Sequence, residues 1–239
     1  MKEVKFNDLT LQVHKIKDSI NQNIQNVINS NAFIKGNFVK QFEDNFKKYS
    51  NVKHAIGVSN GTDALLIAME SLKSTGDVLV QPTTYVASAS MIPRIGNEVK
   101  FIDVNRDTWQ ISTENISDKI TKNTVGLIGV HLYGFPFDVE NIFKFLDQKN
   151  IWMIEDSAQS HGAKINGKNT GTFGQIATYS FFPGKNLGAF GDAGAITTDD
   201  DELAILCRKL ADGGRLSKYE HEILGWNSSC EISPRSNLG

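Results

Sequence analysis

The chain has 239 residues, 40% of them hydrophobic and 22% charged, which is typical of a globular protein with one large domain or two small ones. A formal net charge of −2 gives no reason to expect a nucleic-acid partner. The two cysteines have no disulfide or metal spacing, and the chain shows no signal core and no membrane-length apolar run, so a cytoplasmic protein without membrane contact is expected.

The first part of the chain has helical periodicity, and the rest alternates short apolar runs with helical segments. Apolar residues at helical spacing predict an amphipathic helix over 9–30, and a second helix is expected over 37–49. Further strands are predicted at 54–58, 78–82, 99–104, 125–130, 151–156, 177–182 and 195–198, and further helices at 63–72, 86–95, 113–121, 138–149 (capped by Asp138) and 199–211. This alternation predicts an α/β domain with a mainly parallel sheet flanked by helices.

The residues that follow the strands are the candidates for binding, because ligands of such sheets lie beyond the carboxyl ends of the strands. After the strand at 54–58, Gly61 permits close backbone approach and Thr62 adds a hydroxyl at the start of a helix, which suits a phosphate group. After the next strand, Tyr85 offers a ring that stacks on a flat ligand or packs in the core. Taken singly, both motifs are explained better by a capped turn and by core packing.

Two carboxylates, Glu155 and Asp156, end the strand at 151–156. A carboxylate in a buried strand is costly unless it is paired, and one use for it is to hold a protonated ring nitrogen. His161 follows closely, but no second histidine lies at the spacing of a metal site. A serine hydrolase is disfavoured because no GxSxG motif is present.

Lys185 lies in the glycine-rich run FFPGKNLGAFGDAG. Desolvation among Phe181, Phe182 and Phe190 would lower the pKa of the amine and make it a better nucleophile for a carbonyl. The alternative is a surface lysine in a turn.

Nucleotide-binding loops do not explain the same run. A Walker A loop would have serine or threonine after the lysine, where this chain has Asn186, and no GxGxxG motif follows the first strand. A phosphate seat, an aromatic platform, a strand-end carboxylate and a lysine are together the parts that hold pyridoxal 5′-phosphate. The combination therefore predicts that cofactor.

Six ordered motifs carry a family resemblance: NGTDAL, TTYVASA, VHLYG, IEDSAQSHGA, GTFGQIATYSFFPGKNLGAFGDAGAITTDD and GWNS. They closely resemble the DegT/DnrJ/EryC1/StrS family of pyridoxal-phosphate-dependent aminotransferases that act on nucleotide-linked keto sugars. The resemblance implies a type I aminotransferase fold, with residues 1–228 forming N-terminal helices and the cofactor-binding large domain. It also implies a homodimer with active sites at the subunit interface.

The resemblance assigns four residues around the cofactor ring. Lys185 is implied to link covalently to the cofactor and to move the proton, and Asp156 to pair with the pyridine nitrogen. Tyr85 is implied to pack on the ring face, and Gln159 to lie near the ring hydroxyl. No metal is implied.

The cofactor phosphate is implied to be held from two subunits. Gly61, Thr62 and Ser180 bind it within one chain. Asn227 resembles the asparagine that reaches the cofactor phosphate of the partner subunit.

The implied reaction transfers an amino group, usually from glutamate, to a keto group of a nucleotide-linked deoxysugar, for a surface polysaccharide or a secondary metabolite. VHLYG resembles the enzymes that act at C3 of dTDP-linked 3-keto-6-deoxyhexoses more than those with VHYAG. The family's sugar dehydratases carry histidine where this chain has Lys185, so a dehydratase is the least favoured alternative. A non-catalytic relative that acts as a regulatory or pairing partner is the other alternative.

The resemblance stops after Ser228. Ser229 stands where the family has arginine, so residues 229–239 are predicted to be a divergent tail. The small C-terminal domain is expected to be largely missing, and this form is expected to be impaired or inactive.

Overall fold

The computed structural model describes residues 4–215, 217 and 219–230. In this part of the chain the strands are β1 (His54–Val58), β2 (Asp77–Val80), β3 (Glu98–Phe101), β4 (Thr124–Val130), β5 (Trp152–Asp156), β6 (Lys164–Ile165), β7 (Lys168–Asn169), β8 (Ile176–Ser180) and β9 (Gly194–Thr198). The helices are α1 (Thr10–Ser30), α2 (Asn37–Ser50), α3 (Gly61–Ser71), α4 (Ala87–Ser90), α5 (Thr113–Ser117), α6 (Val139–Asp147) and α7 (Asp201–Ala211). Short 3₁₀ segments occupy Pro93–Ile95 and Leu132–Gly134.

The main sheet has the strand order β1-β9-β8-β5-β4-β2-β3, and β6 pairs only with β7 in a separate hairpin. Strand β9 is antiparallel to both of its neighbours, while the other adjacent pairs of the main sheet are parallel. The predicted mainly parallel, mixed sheet is therefore confirmed. Because β4, β5 and β8 run the same way, the segments that follow them meet at one edge of the sheet.

Helices cover both faces of this sheet. Helices α3 and α7 bury apolar side chains against one face, together with Ile56 of β1 and Ile176 of β8. Helices α5 and α6 cover the other face near Leu79 of β2. Helix α2 packs on that second face against Ala177 of β8. Alternate residues of a strand point to opposite faces, so strands buried on both sides are apolar at consecutive positions.

Several predicted elements are shorter or differently built than the sequence suggested. The single helix expected over 86–95 is interrupted, because Pro93 cannot donate to the preceding turn and instead begins a 3₁₀ segment. The helix expected to reach 121 ends at Ser117, and the strands expected to reach 104 and 182 end at Phe101 and Ser180.

Helix α6 differs from expectation in its N-cap hydrogen bond, and helix α1 differs in the burial of its apolar side chains. Asp138 lies at the N-cap of α6, but its carboxylate accepts from the Asn141 side chain and not from a helix N–H. The apolar stripe of α1 is present, yet Ile20 is buried while Ile24 is exposed among the described residues. Within the described ranges, no helix has the length and apolar character needed to cross a membrane.

Candidate active site

A cavity of about 590 Å³ opens at the carboxyl edge of the sheet. The predicted site residues that line it are Gly61, Thr62, Tyr85, Asp156, Gln159, Ser180 and Lys185. These residues come from segments that are far apart in the chain and that the parallel topology brings to one edge. Asn227 does not line this cavity.

One end of the cavity is formed by the N-terminus of α3. Asn60 caps the helix by accepting from the backbone N–H of Asp63 at 2.8 Å. A Cβ atom at Gly61 would lie 2.8 Å from the Cβ of Ser180, so a larger residue would force the helix away from β8. Among the described hydrogen bonds, none engages the N–H groups of Gly61 and Thr62. These free donors and the positive end of the helix dipole form an anion seat.

Asp156 ends β5 with its carboxylate in the cavity wall. Its Oδ2 accepts from the Ser88 hydroxyl at 2.7 Å, and its Oδ1 accepts from the Ala158 N–H at 3.1 Å. Burial raises the pKa of Asp156, although these two bonds and the charge of Lys185 act in the opposite direction. The carboxylate is thus held in place but lacks full charge compensation. Ser88 was not identified from the sequence, since a serine in an alanine-rich helix gives no local signal.

Lys185 is half-buried in the same cavity. Burial lowers the pKa of its amine, and the negative charge of Asp156 partly offsets that effect. The lowered pKa agrees with the expectation from the sequence, but the aromatic surroundings agree only in part. Phe182 lines the cavity, whereas Phe181 points into the core, 5.2 Å from the rings of both Phe42 and Phe46.

Gln159 and Tyr85 complete the walls around Lys185. The Gln159 Oε1 accepts from the backbone N–H of Tyr133 at 2.7 Å, which leaves the amide N–H groups of Gln159 to donate into the cavity. Tyr85 is 70% exposed, so its ring is solvent-exposed and does not pack in the core. The alternative of core packing for Tyr85 is therefore wrong.

Behind the cavity wall, Glu155 forms a buried network that the sequence did not reveal. Its carboxylate accepts from His131 Nε2 at 2.9 Å and from the N–H groups of Gly171, Phe173 and Gly174 at 2.7, 2.7 and 2.8 Å. Burial alone would raise the pKa of Glu155, but these bonds outweigh it and hold the pKa below its ordinary value. The network fixes the end of β5 from the face opposite the cavity.

His161, considered above as a metal ligand, is partly buried beside the rings of Tyr179 and Phe181, at 5.5 and 5.2 Å between centroids. Burial lowers the pKa of His161 to about 4, and the charge of Lys185 acts in the same direction. In the described part of the chain, no group of three or more histidine, cysteine, aspartate or glutamate side chains is arranged to hold a metal ion. His161 is therefore a partly buried side chain whose lowered pKa favours the neutral ring.

Asn227 is exposed on a segment that is anchored on both sides. Trp226 donates its indole N–H to Glu70 at 2.6 Å, and the buried Ser228 donates its hydroxyl to Asp63 at 2.8 Å. Both acceptors belong to α3, the helix whose N-terminus forms the anion seat. The segment thus leaves Asn227 exposed and outside the lining of its own chain's cavity.

Solved structures share this architecture over nearly the whole chain. Streptomyces venezuelae DesV, solved in complex with a ketimine intermediate, superposes with a TM-score of 0.94 at 34% identity, over 99% of this chain and 64% of that one. NtdA from Bacillus subtilis, solved with the bound cofactor PMP, superposes with a TM-score of 0.89 at 29% identity, over 98% of this chain and 55% of that one. The fold is the α/β fold of the type I aminotransferases.

The family model of the DegT/DnrJ/EryC1/StrS aminotransferases matches residues 14–231, and the chain belongs to this family. A pleiotropic regulatory protein of Geobacillus stearothermophilus is 42% identical over 92% of this chain. A UDP-N-acetyl-3-dehydro-alpha-D-glucosamine 3-aminotransferase of Acidithiobacillus ferrooxidans is 38% identical over 92% of this chain. The chain spans 60% of the length of each of these two relatives.

Proposed function

We propose that this chain carries the cofactor site of a pyridoxal-phosphate-dependent aminotransferase acting on a nucleotide-linked keto sugar. The observation that carries the proposal is the placement of Lys185 and Asp156 in one cavity that ends at the N-terminus of α3. An amine, a ring-facing carboxylate and an anion seat are the three groups that this cofactor requires.

The residues present fit the cofactor at each of these points. Gly61 has no side chain, so its backbone can lie close to Ser180 and to a phosphate. The N–H groups of Gly61 and Thr62 are available as donors. Asp156 is buried and incompletely compensated, so a protonated ring nitrogen would supply the missing positive charge. Tyr85 offers an exposed ring for the face of a flat ligand, and Gln159 keeps free donors for a ring hydroxyl.

When bound, pyridoxal phosphate supplies a carbonyl group and an electron-withdrawing ring. Burial lowers the pKa of Lys185, which increases the fraction of neutral amine able to attack a carbonyl and to accept a proton. Asp156 would hold a proton on the ring nitrogen, because its buried carboxylate stabilises the positive charge that the proton gives to that nitrogen. Ser88 fixes the orientation of that carboxylate through its hydroxyl.

For the substrate, we propose a nucleotide-linked 3-keto sugar, with glutamate as the amino donor. The 38% identical 3-aminotransferase relative supports a 3-keto position. The VHLYG motif favours a dTDP-linked deoxyhexose. Transfer of nitrogen is favoured over dehydration because Lys185 occupies the position of the dehydratase histidine.

We propose a homodimer in which Asn227 of one chain approaches the anion seat of the other. Its support is the anchored segment that exposes Asn227, together with the partly uncovered apolar stripe of α1 among the described residues. Analytical ultracentrifugation tests the assembly, and a monomer at micromolar concentration would contradict this part of the proposal.

The cofactor assignment is tested by mixing the purified chain with pyridoxal phosphate. The expected result is a visible absorption band from a lysine-linked cofactor, which Lys185→Ala abolishes and which replacement of the exposed Lys164 by alanine leaves intact. A folded wild-type chain that takes up no cofactor would refute the assignment. Mass spectrometry of a reacted keto sugar separates the two chemistries, since a dehydratase gives a product that has gained no nitrogen.

A regulatory role is the second candidate, because the 42% identical relative is described as a pleiotropic regulatory protein. A regulatory or pairing partner predicts stable association with a full-length homologue, without turnover by this chain. Gel filtration of the mixture, followed by an assay of each isolated component, distinguishes this role from catalysis.

A further inference from the structure

Tyr133 has an unusual backbone conformation for a large side chain. Its φ is 55° and its ψ is 20°, in the left-handed region that an aromatic residue rarely adopts. Most of the other described non-glycine residues with positive φ are asparagine or lysine. Tyr133 is also 85% exposed, so burial of its ring does not offset the strain of its backbone.

The cofactor site itself holds Tyr133 in this conformation. The Gln159 side chain accepts from the Tyr133 N–H at 2.7 Å, and the neighbouring His131 donates its backbone N–H to the Asp156 carbonyl at 3.1 Å. The His131 ring is in turn bonded to the buried Glu155. The segment that carries Tyr133 is therefore fixed to the residues around Asp156, and only its large side chain remains outside.

That side chain lines an open cavity of about 440 Å³ next to the one described above. The same cavity is lined by Lys185, Gln159 and Phe182. Tyr133 and Lys185 therefore line the same open cavity. A flat ring with a terminal hydroxyl suits a sugar, since it offers an apolar face and a hydrogen-bonding group together.

We propose that Tyr133 determines specificity by contacting the sugar of the nucleotide-linked substrate. This inference rests on the proposed function. An amino donor such as glutamate is smaller than a sugar that carries a nucleotide. We expect the larger nucleotide sugar to extend from Lys185 into the open cavity that Tyr133 also lines.

Trp109 provides a matched control, because it is also an exposed aromatic residue with a positive φ, of 59°, and lines neither cavity. Asparagine tolerates positive φ, so Tyr133→Asn and Trp109→Asn should both remain as stable as the wild type. Unfolding temperatures of the two variants establish that the fold is kept. Tyr133→Phe separates the hydroxyl from the ring.

The probes are UDP-N-acetylglucosamine and dTDP-glucose, each compared with its free nucleotide by calorimetry on the cofactor-loaded chain. Tyr133→Asn is expected to weaken binding of the better nucleotide sugar by about 5- to 10-fold. Binding of the free nucleotide should change by less than about twofold, and Trp109→Asn should change neither affinity.

Three outcomes overturn the inference while the cofactor band is present. They are equal affinities for the two asparagine variants, a change of oligomeric state in Tyr133→Asn by gel filtration, and a wild-type chain that binds neither nucleotide sugar. Absence of the cofactor band in the wild-type chain would instead refute the proposed function on which the inference rests.

Discussion

Glu155 and Asp156 are neighbours at the end of β5, yet their carboxylates lie on opposite faces of the sheet and have pKa values displaced in opposite directions. Asp156 faces the cavity, where burial dominates and raises its pKa. Glu155 faces the core, where His131 and three backbone N–H groups compensate its charge. One strand end thus carries a carboxylate that supports the fold and another that is available to a ligand.

Glu155→Gln should destabilise the fold. A glutamine amide would direct its own N–H groups at donors that now bond a carboxylate, so we expect a loss of about 2–4 kcal/mol at neutral pH. Because the folded pKa of Glu155 is lowered, its contribution is present above the unfolded pKa and is lost as the pH falls through the folded value. Urea denaturation measures the loss, with the exposed Glu202→Gln as a control expected within about 0.5 kcal/mol of wild type.

The contribution of Asp156 to stability should depend on pH in the opposite direction to that of Glu155, and Asp156→Asn tests this. The folded pKa of Asp156 is raised, so its contribution to stability is present below the unfolded pKa and is lost as the pH rises through the folded value. Removing the charge should leave the cofactor-free chain at least as stable at neutral pH, while cofactor affinity falls by about tenfold or more. Thermal unfolding and cofactor titration test the two effects.

Asp192→Asn is the control for that pair of measurements, since Asp192 is exposed and lines the same cavity. An equal loss of cofactor affinity in both variants would show that Asp156 has no special place in the site.

Gly61→Ala should weaken both the anion seat and the fold. The added Cβ would lie 2.8 Å from the Cβ of Ser180, so the start of α3 must move, at a cost of about 1–3 kcal/mol. Cofactor titration and denaturation measure the two losses. Gly191→Ala is the matched control, because a Cβ there meets no described atom within 4 Å. Unchanged cofactor affinity in Gly61→Ala would contradict the placement of the phosphate at this helix end.

His161 should make the fold less stable as the pH decreases from about 6.5 towards 4. Its folded pKa is about 4 against an ordinary value of 6.5, so the unfolded chain binds the proton first. The cost at the acid end is roughly 2–4 kcal/mol. His161→Phe should flatten this part of the stability profile, whereas replacement of the exposed His14 by phenylalanine should not. Parallel profiles for wild type and His161→Phe would count against a neutral, partly buried imidazole.

Several strands were predictable from the local sequence pattern. The predicted limits of β1 are those observed, and those of β4 and β9 differ by one residue, because short apolar runs bounded by polar turns are a local signal. The residues that line the cavity could also be predicted from the sequence, since each follows a strand or lies in a recognisable motif. The helix expected over 86–95 failed because the local effect of Pro93 outweighed its helical pattern.

Hydrogen bonds between side chains of different strands or segments could not be predicted from the sequence. Ser88 and Asp156 are 68 positions apart in the chain, and no pattern in either segment indicates their hydrogen bond. Glu155 and His131 meet because β4 and β5 are paired in register, which the sequence of neither strand specifies. The positive φ of Tyr133 likewise depends on a bond to Gln159 in another segment.

The sequence by itself determined the alternating elements, the glycine at the helix start, the strand-end carboxylates and the lysine, because these depend on periodicity and residue chemistry. Only the tertiary structure decided which carboxylate faces the cavity, what compensates the other, and which aromatic ring remains exposed beside Lys185. The physical reason is that charge compensation and burial depend on distances between segments far apart in the chain, and the packing of the sheet alone sets those distances.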